Sequence, residues 1–110
     1  AKWIEFIIGQ IINNSIKYKG NNAKIEFYSE KEGSKVSLYI KDNGLGIESQ
    51  DISKVFEKGF TGSNGRKGKN STGIGLYICK KLCEKLGVDI NLYSEFEKGT
   101  TIELTFTEAV

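Results

Sequence analysis

Two stretches, "AKIEFYSEKEGSKVSLYIKDN" and "VDINLYSEFEKGTTIELTFTE", alternate apolar and polar residues. A period of two marks a strand with one face in a core and the other in water. Each stretch is long enough for two strands and a turn, so the chain must build its sheet from two hairpins. In the first, Ile25 and Phe27 share one face of the leading strand, Val36, Leu38 and Ile40 share one face of the returning strand, and "SEKEGS" is the expected turn. A one-sided sheet needs a cover, and the segments ahead of the hairpins switch to helical periodicity. One helix runs from about Trp3 to Tyr18 or Lys19, where "GNN" stops it. Another starts near Gly73 and ends at Gly87, with Ile74, Ile78, Leu82 and Leu86 as its expected core stripe. A short helical turn covers "SQDISKVF", and the loop "GFTGSNGRKGKNST" has glycines and basic residues but no hydrophobic period. The order helix, hairpin, loop, helix, hairpin predicts an α+β fold: a two-layer α/β sandwich whose mixed, mostly antiparallel sheet carries its helices on one face.

At 110 residues the chain is one domain, without internal repeats. Its net charge of +2 is too small to imply a nucleic acid or a membrane as partner. No apolar run approaches a bilayer span, and the N-terminus lacks a signal-peptide layout. The two cysteines, Cys79 and Cys83, lie four apart on the second helix, with no histidine anywhere to complete a metal site. Two small buried thiols in a reducing compartment is the reading that fits them.

Strand parity raises a sharper point. Asp42 continues the series Val36, Leu38, Ile40, so its carboxylate points to the core side. Thr100 likewise leads Ile102, Leu104 and Phe106. A buried carboxylate is costly unless something donates to it, and Lys41 faces the other way. Either a ligand N–H answers Asp42, with Thr100 assisting, or Asp42 caps the turn "DNGLG". On the first helix, Gln10, Asn14 and Lys17 form a polar stripe against isoleucines, where a solubility face would carry mixed charges.

The glycines bear on the choice. Gly44 and Gly46 let backbone approach a flat ligand, and Gly73 and Gly75 open a helix whose free amides suit an anion. Neither pair fits the better-known phosphate loops. Gly68-Lys69 is followed by Asn70 rather than Ser or Thr, and Ser49 stands where a dinucleotide fingerprint needs its third glycine.

Taken in order, "QIINNSIKY", "DNGLGI", "VFEKGF", "STGIGLYICKKL" and "KGTTIELTF" resemble the asparagine, first glycine, phenylalanine, second glycine and final boxes of the ATP-binding domain of bacterial sensor histidine kinases. That domain is a branch of the GHKL superfamily, with gyrase, MutL and the large heat-shock chaperone. The likeness spans nearly the whole chain and implies a Bergerat-type ATP-binding fold over 1–110, with a mobile lid at about 61–72. It implies ATP with Mg²⁺ as cofactor. Asn14 matches the metal-coordinating amide, Lys17 a phosphate contact and Tyr18 an aromatic beside the nucleotide. Asp42, within a box that also holds Gly44, Gly46 and Ile47, matches the acceptor for the adenine amino group, and Thr100 the hydroxyl completing that contact. Gly73, Ile74, Gly75 and Leu76 match the backbone around the phosphates. Arg66, Lys67 and Lys69 fall in the lid, as phosphate contacts or as a solvated basic loop.

Gln10 stands where hydrolytic relatives keep a water-activating glutamate, and an amide cannot take up a proton at neutral pH. Glu5, the nearest carboxylate on that helix, lies on roughly the opposite face. The resemblance therefore implies a phosphoryl donor to histidine rather than a hydrolase. It also implies that the acceptor lies on a dimerisation and phosphotransfer domain outside the chain, that a strand ahead of Trp3 belongs to the sheet, and that a response regulator acts downstream. The setting implied is cytoplasmic, in a membrane-anchored sensor, with no direct membrane or nucleic-acid contact. A serine kinase of the anti-sigma type, or a non-catalytic nucleotide-binding domain, is the alternative.

Overall fold

The structure, a computed structural model, describes residues 2–17, 22–57 and 75–107. Its elements run α1 (Lys2–Lys17), β1 (Ile25–Glu32), β2 (Lys35–Asp42), α2 (Ser49–Ile52), α3 (Gly75–Leu86), β3 (Asp89–Glu95) and β4 (Gly99–Thr107). The four strands form one sheet in the order β1-β2-β4-β3, and every pairing is antiparallel. Both expected hairpins are present. β2 and β4 come together in the middle, so the central strands of the sheet are those with the most regular apolar alternation.

The first turn is tighter than "SEKEGS" suggests. Glu32 pairs with Lys35, leaving only Gly33 and Ser34 between the strands. Gly33 has φ 61, which a two-residue hairpin turn requires at its first central position. Residues 29–32 therefore join the ladder, and their polar character reflects an edge strand rather than a loop. Phe27 shares a face with Ile25 as parity predicts, yet it is 51 % exposed, because it lies on this edge.

The core lies between the inner sheet face and the two long helices. Ile40, Ile90, Ile102 and Leu104 rise from the sheet to meet Ile7 and Ile11 of α1 and Cys79 and Cys83 of α3. The buried stripe of α3 is thus turned by one position from Ile78, Leu82 and Leu86. Leu82 packs at its margin, and Leu86 is 36 % exposed. Small thiols at the centre let α3 lie close to α1, and the Cys79 Sγ donates to the Ile7 carbonyl at 3.8 Å. Burial pushes the Cys79 thiol up to about 12, the neighbouring Cys83 adding to it, and burial raises Cys83 as well. Both thiols stay protonated at neutral pH and act as packing groups.

α3 ends as expected. Gly87 takes φ 72 and the Val88 amide returns to the Cys83 carbonyl at 2.9 Å, a Schellman closure. Among the described residues no helix is long and apolar enough to cross a membrane.

Candidate functional site

The polar residues expected on the core side gather where the C-terminal end of β2 meets the first turn of β4. Asp42 pairs directly with Thr100 in the β2–β4 register. Both alternatives for Asp42 have a footing here. Its Oδ1 accepts from the Gly44 amide at 2.9 Å, which is the turn cap, and from the Thr100 amide at 3.2 Å. Its Oδ2 accepts from the Ser15 hydroxyl at 2.7 Å. Carboxylate oxygens offer about four lone-pair sites in all, so three donors leave one acceptor, on Oδ2.

Ser15 is not among the residues that the sequence motifs single out, although the sequence carries a sign of it. It continues the spacing of Ile7 and Ile11, placing a hydroxyl where the buried stripe calls for an apolar residue. At 8 % exposure it is buried, and its bond to Asp42 ties α1 to the sheet.

Thr100 reaches Asp42 through its backbone amide rather than its hydroxyl. The hydroxyl sits 2.8 Å from the Ser94 Oγ instead. Ser94 donates to the Gly99 carbonyl and accepts from the Ile47 amide, each at 2.9 Å. With its one proton on Gly99, Ser94 must accept the proton of Thr100. Ile47 is thereby fastened to β3 by its backbone. Ser94 is likewise absent from the motifs, though it follows Ile90 and Leu92 on the inward parity.

Gly46 has φ 70, and a Cβ there would lie 2.1 Å from the Glu95 carbonyl oxygen. Gly99 has φ 132, and a Cβ there would lie 2.1 Å from the Asp42 carbonyl oxygen. At these two glycines the close neighbour is therefore protein backbone. "DNGLG" and "KGT" lock against one another, and this contact holds Asp42 and Thr100 in place.

On the helical side, the Gln10 Oε1 lies 2.8 Å from where a Cβ at Gly75 would stand, so the amide rests on the first turn of α3. Asn14 is half-buried one turn further along α1, and Leu76 is half-buried on α3 beside the core. Val55 is buried and Phe56 packs at the core margin, with the Lys80 Nζ over its ring at 5.8 Å from the centroid. Lys17 closes α1. Tyr18, the lid at 61–72 with Arg66, Lys67 and Lys69, and Gly73 and Ile74 lie outside the described residues. Asp42, Gly44, Gly46, Ile47 and Thr100 come together, and Ser15 joins α1 to that group.

The family described as "Histidine kinase-, DNA gyrase B-, and HSP90-like ATPase" matches residues 1–110. The chain is 39% identical over 107 residues to the sensor histidine kinase YxdK of Bacillus subtilis (strain 168), covering 96% of this chain and 33% of that protein. It is 42% identical over 106 residues to the sensor protein BceS of the same organism, covering 96% of this chain and 31% of that protein. The chain thus spans about a third of the length of the curated relatives it matches. Among solved structures, the mycobacterial sensor histidine kinase MprB superposes with a TM-score of 0.81 at 22% identity, over 93% of this chain and 70% of that one. At that identity the likeness speaks for the fold.

Proposed function

The chain belongs to the histidine kinase-, DNA gyrase B-, and HSP90-like ATPase family, and from that membership we propose that it is the ATP-binding domain of a sensor histidine kinase. In this reading residues 1–110 form one domain with a lid at about 61–72, and the γ-phosphoryl group passes to a histidine outside the chain. Asp42 is the observation that carries the proposal. A carboxylate held by three donors, with one acceptor left, suits the exocyclic amino group of adenine.

The other roles follow the motifs. Lys17 contacts phosphate oxygens, Tyr18 flanks the nucleotide, and the backbone of Gly73 to Leu76 wraps the phosphates at the start of α3. Among the described residues, no group of three or more His, Cys, Asp or Glu is placed to hold a metal ion unaided. The Asn14 amide oxygen, a hard neutral donor half-buried on α1, would hold a magnesium ion that comes with the nucleotide's phosphates. When bound, magnesium supplies charge neutralisation on the phosphates. In the transfer, the bond from the bridging oxygen to the γ-phosphorus breaks, a bond from the histidine nitrogen forms, and ADP remains. Gln10 has no basic atom with which to activate water, which favours transfer over hydrolysis.

The chain has no histidine, so the acceptor belongs to a dimerisation segment of a longer protein. The sensor histidine kinase among the relatives supports that assignment. A response regulator downstream and a cytoplasmic setting beneath a membrane-anchored sensor complete the reading.

Titration calorimetry of the chain with ADP and magnesium tests the proposal. Saturable binding is expected, weakened by about 1.5–3 kcal/mol in Asp42→Asn, the range for a hydrogen bond to a charged group. Equal affinity in the variant would leave Asp42 as a turn cap alone.

A further inference from the structure

The three bonds to Asp42 are not equivalent. Two come from backbone amides, Gly44 and Thr100, and both end on Oδ1. These two amides anchor Oδ1 and, among the described residues, leave Oδ2 without a backbone donor. The remaining acceptor lies on Oδ2, so the group that donates there decides how many lone pairs are left to a ligand. The only donor to Oδ2 among the described residues is the Ser15 hydroxyl at 2.7 Å, from a helix that shares no backbone ladder with β2.

We propose that Ser15 is a positioning and specificity-determining residue for the base. By donating to the Asp42 Oδ2, it takes one of that oxygen's two lone pairs and leaves the other to receive a single N–H donor. This rests on the nucleotide-binding reading above and adds to it the residue that shapes the acceptor offered to the base. A purine with an amino group at C6 satisfies that acceptor. One with a carbonyl at C6 sets two acceptors against each other and leaves a desolvated oxygen without a donor, the costlier error in recognition.

The same bond joins the site to the helix bearing Gln10 and Asn14. Ser15 follows Asn14 directly, so the hydrogen bond to Asp42 fixes the rotation of α1 near its C-terminal end. Base and phosphate groups are thereby held in one frame. Its burial at 8 % exposure shields the Ser15–Asp42 bond from exchange with water.

The test is calorimetry of the 110-residue chain with magnesium and two nucleotides, ADP and purine riboside diphosphate, which lacks the C6 amino group. Ser15→Ala is expected to weaken ADP roughly threefold to tenfold, less than removal of the charge itself because Ser15 acts through Asp42, and to leave the purine analogue within about twofold. Ser15→Thr, which keeps a hydroxyl, is expected to retain the preference for ADP. Ser15→Cys is close in size with a weaker donor, so it reports the same loss if the alanine variant fails to fold.

An equal loss for both nucleotides would show that Ser15 only supports the fold, and would overturn the proposal. So would undiminished ADP preference in both Ser15→Ala and Ser15→Cys. If Asp42→Asn abolishes the preference while the Ser15 variants keep it, the inference fails and the nucleotide reading survives. A wild-type chain that binds neither nucleotide overturns both.

Discussion

The sheet carries a hydrogen-bonded carboxylate on each of its faces, and the two are held in opposite ways. On the inner face, Asp42 takes two backbone amides and the Ser15 hydroxyl. On the outer face, Glu103 takes the Tyr39 hydroxyl on Oε2 at 3.0 Å and the Tyr93 hydroxyl on Oε1 at 2.9 Å. Tyr39 in turn stacks on Tyr28, with centroids 4.8 Å apart. Backbone donors belong to the ladder and a locked turn, so they cannot reorient. Phenol donors sit on rotatable side chains, and Tyr93 is 55 % exposed. The inner carboxylate is held chiefly by donors that cannot turn away, whereas water can replace either donor of the outer one. Three hydrogen bonds against two from phenols is a small difference; the rigidity of the donors is the larger one.

The largest expected effect comes from adding a carboxylate where neither face has one. Gln10 rests on the first turn of α3, and in the proposed reading it stands where hydrolytic relatives keep a general base. Gln10→Glu should raise phosphate release from ATP toward the roughly 10²–10⁴-fold that general-base catalysis typically contributes. The wild-type chain alone should show only slow leakage and no stable label from radiolabelled ATP. Rapid release by wild type would overturn the donor reading. An unchanged rate in the variant would make Gln10 a spacer between the helices.

The direct comparison comes next in size. Asp42→Asn is expected to weaken Mg-ADP on the order of tenfold to a hundredfold, and Glu103→Gln to leave it within about twofold. Comparable losses would mean that the site responds to the sheet as a whole, and that donor rigidity is not what separates the two carboxylates.

The architecture is legible in the sequence because its signals are periodic and local. Strand parity sets both Asp42 and Thr100 on the core side, and the ladder pairs them directly. The glycine stop at Gly87 is equally plain. Residue type is the poorer guide. Ile78, Leu82 and Leu86 mark an apolar stripe by type, yet the contact of α1 with α3 places the small thiols of Cys79 and Cys83 at the centre. Ser15 and Ser94 draw no notice in the sequence because serine is at home in any polar stretch. Their positions on apolar stripes, four beyond Ile11 and two beyond Leu92, are what set them apart. The partners of Thr100 lie beyond the sequence, since parity fixes a face and not which atom of a residue does the bonding.

A smaller effect is expected at the phosphate end of the site. Asn14→Ala should weaken Mg-ATP about tenfold, roughly 1.4 kcal/mol, and metal-free ATP much less. The comparison needs both titrations, one with magnesium and one with a chelator. Equal losses would assign Asn14 to packing on α1, and the inner face would then recognise the base alone.

The smallest expected effect probes the outer carboxylate through its donors. Donation to Glu103 raises the pKa of both Tyr39 and Tyr93 above the ordinary phenol value of 10.0, with burial adding to it. For Glu103 burial acts upward, but the bonds from Tyr93 and Tyr39, with Ser37 and Asn91, outweigh it and leave the carboxyl below its usual value. A group whose folded pKa is raised contributes stability below its unfolded pKa and loses it as pH rises through the folded value. The tyrosine contribution should therefore be intact at neutral pH and fade above 10.0. Lysines titrate in the same range, so the signal is the difference between wild type and a Tyr39→Phe/Tyr93→Phe double variant. Urea denaturation from about pH 8 to about pH 11 should show that difference shrinking as pH rises. Solvent and salt screen so exposed a cluster, so the shift should be slight and smaller still at high ionic strength. A constant difference across the range would show that the two hydroxyls contribute through packing alone.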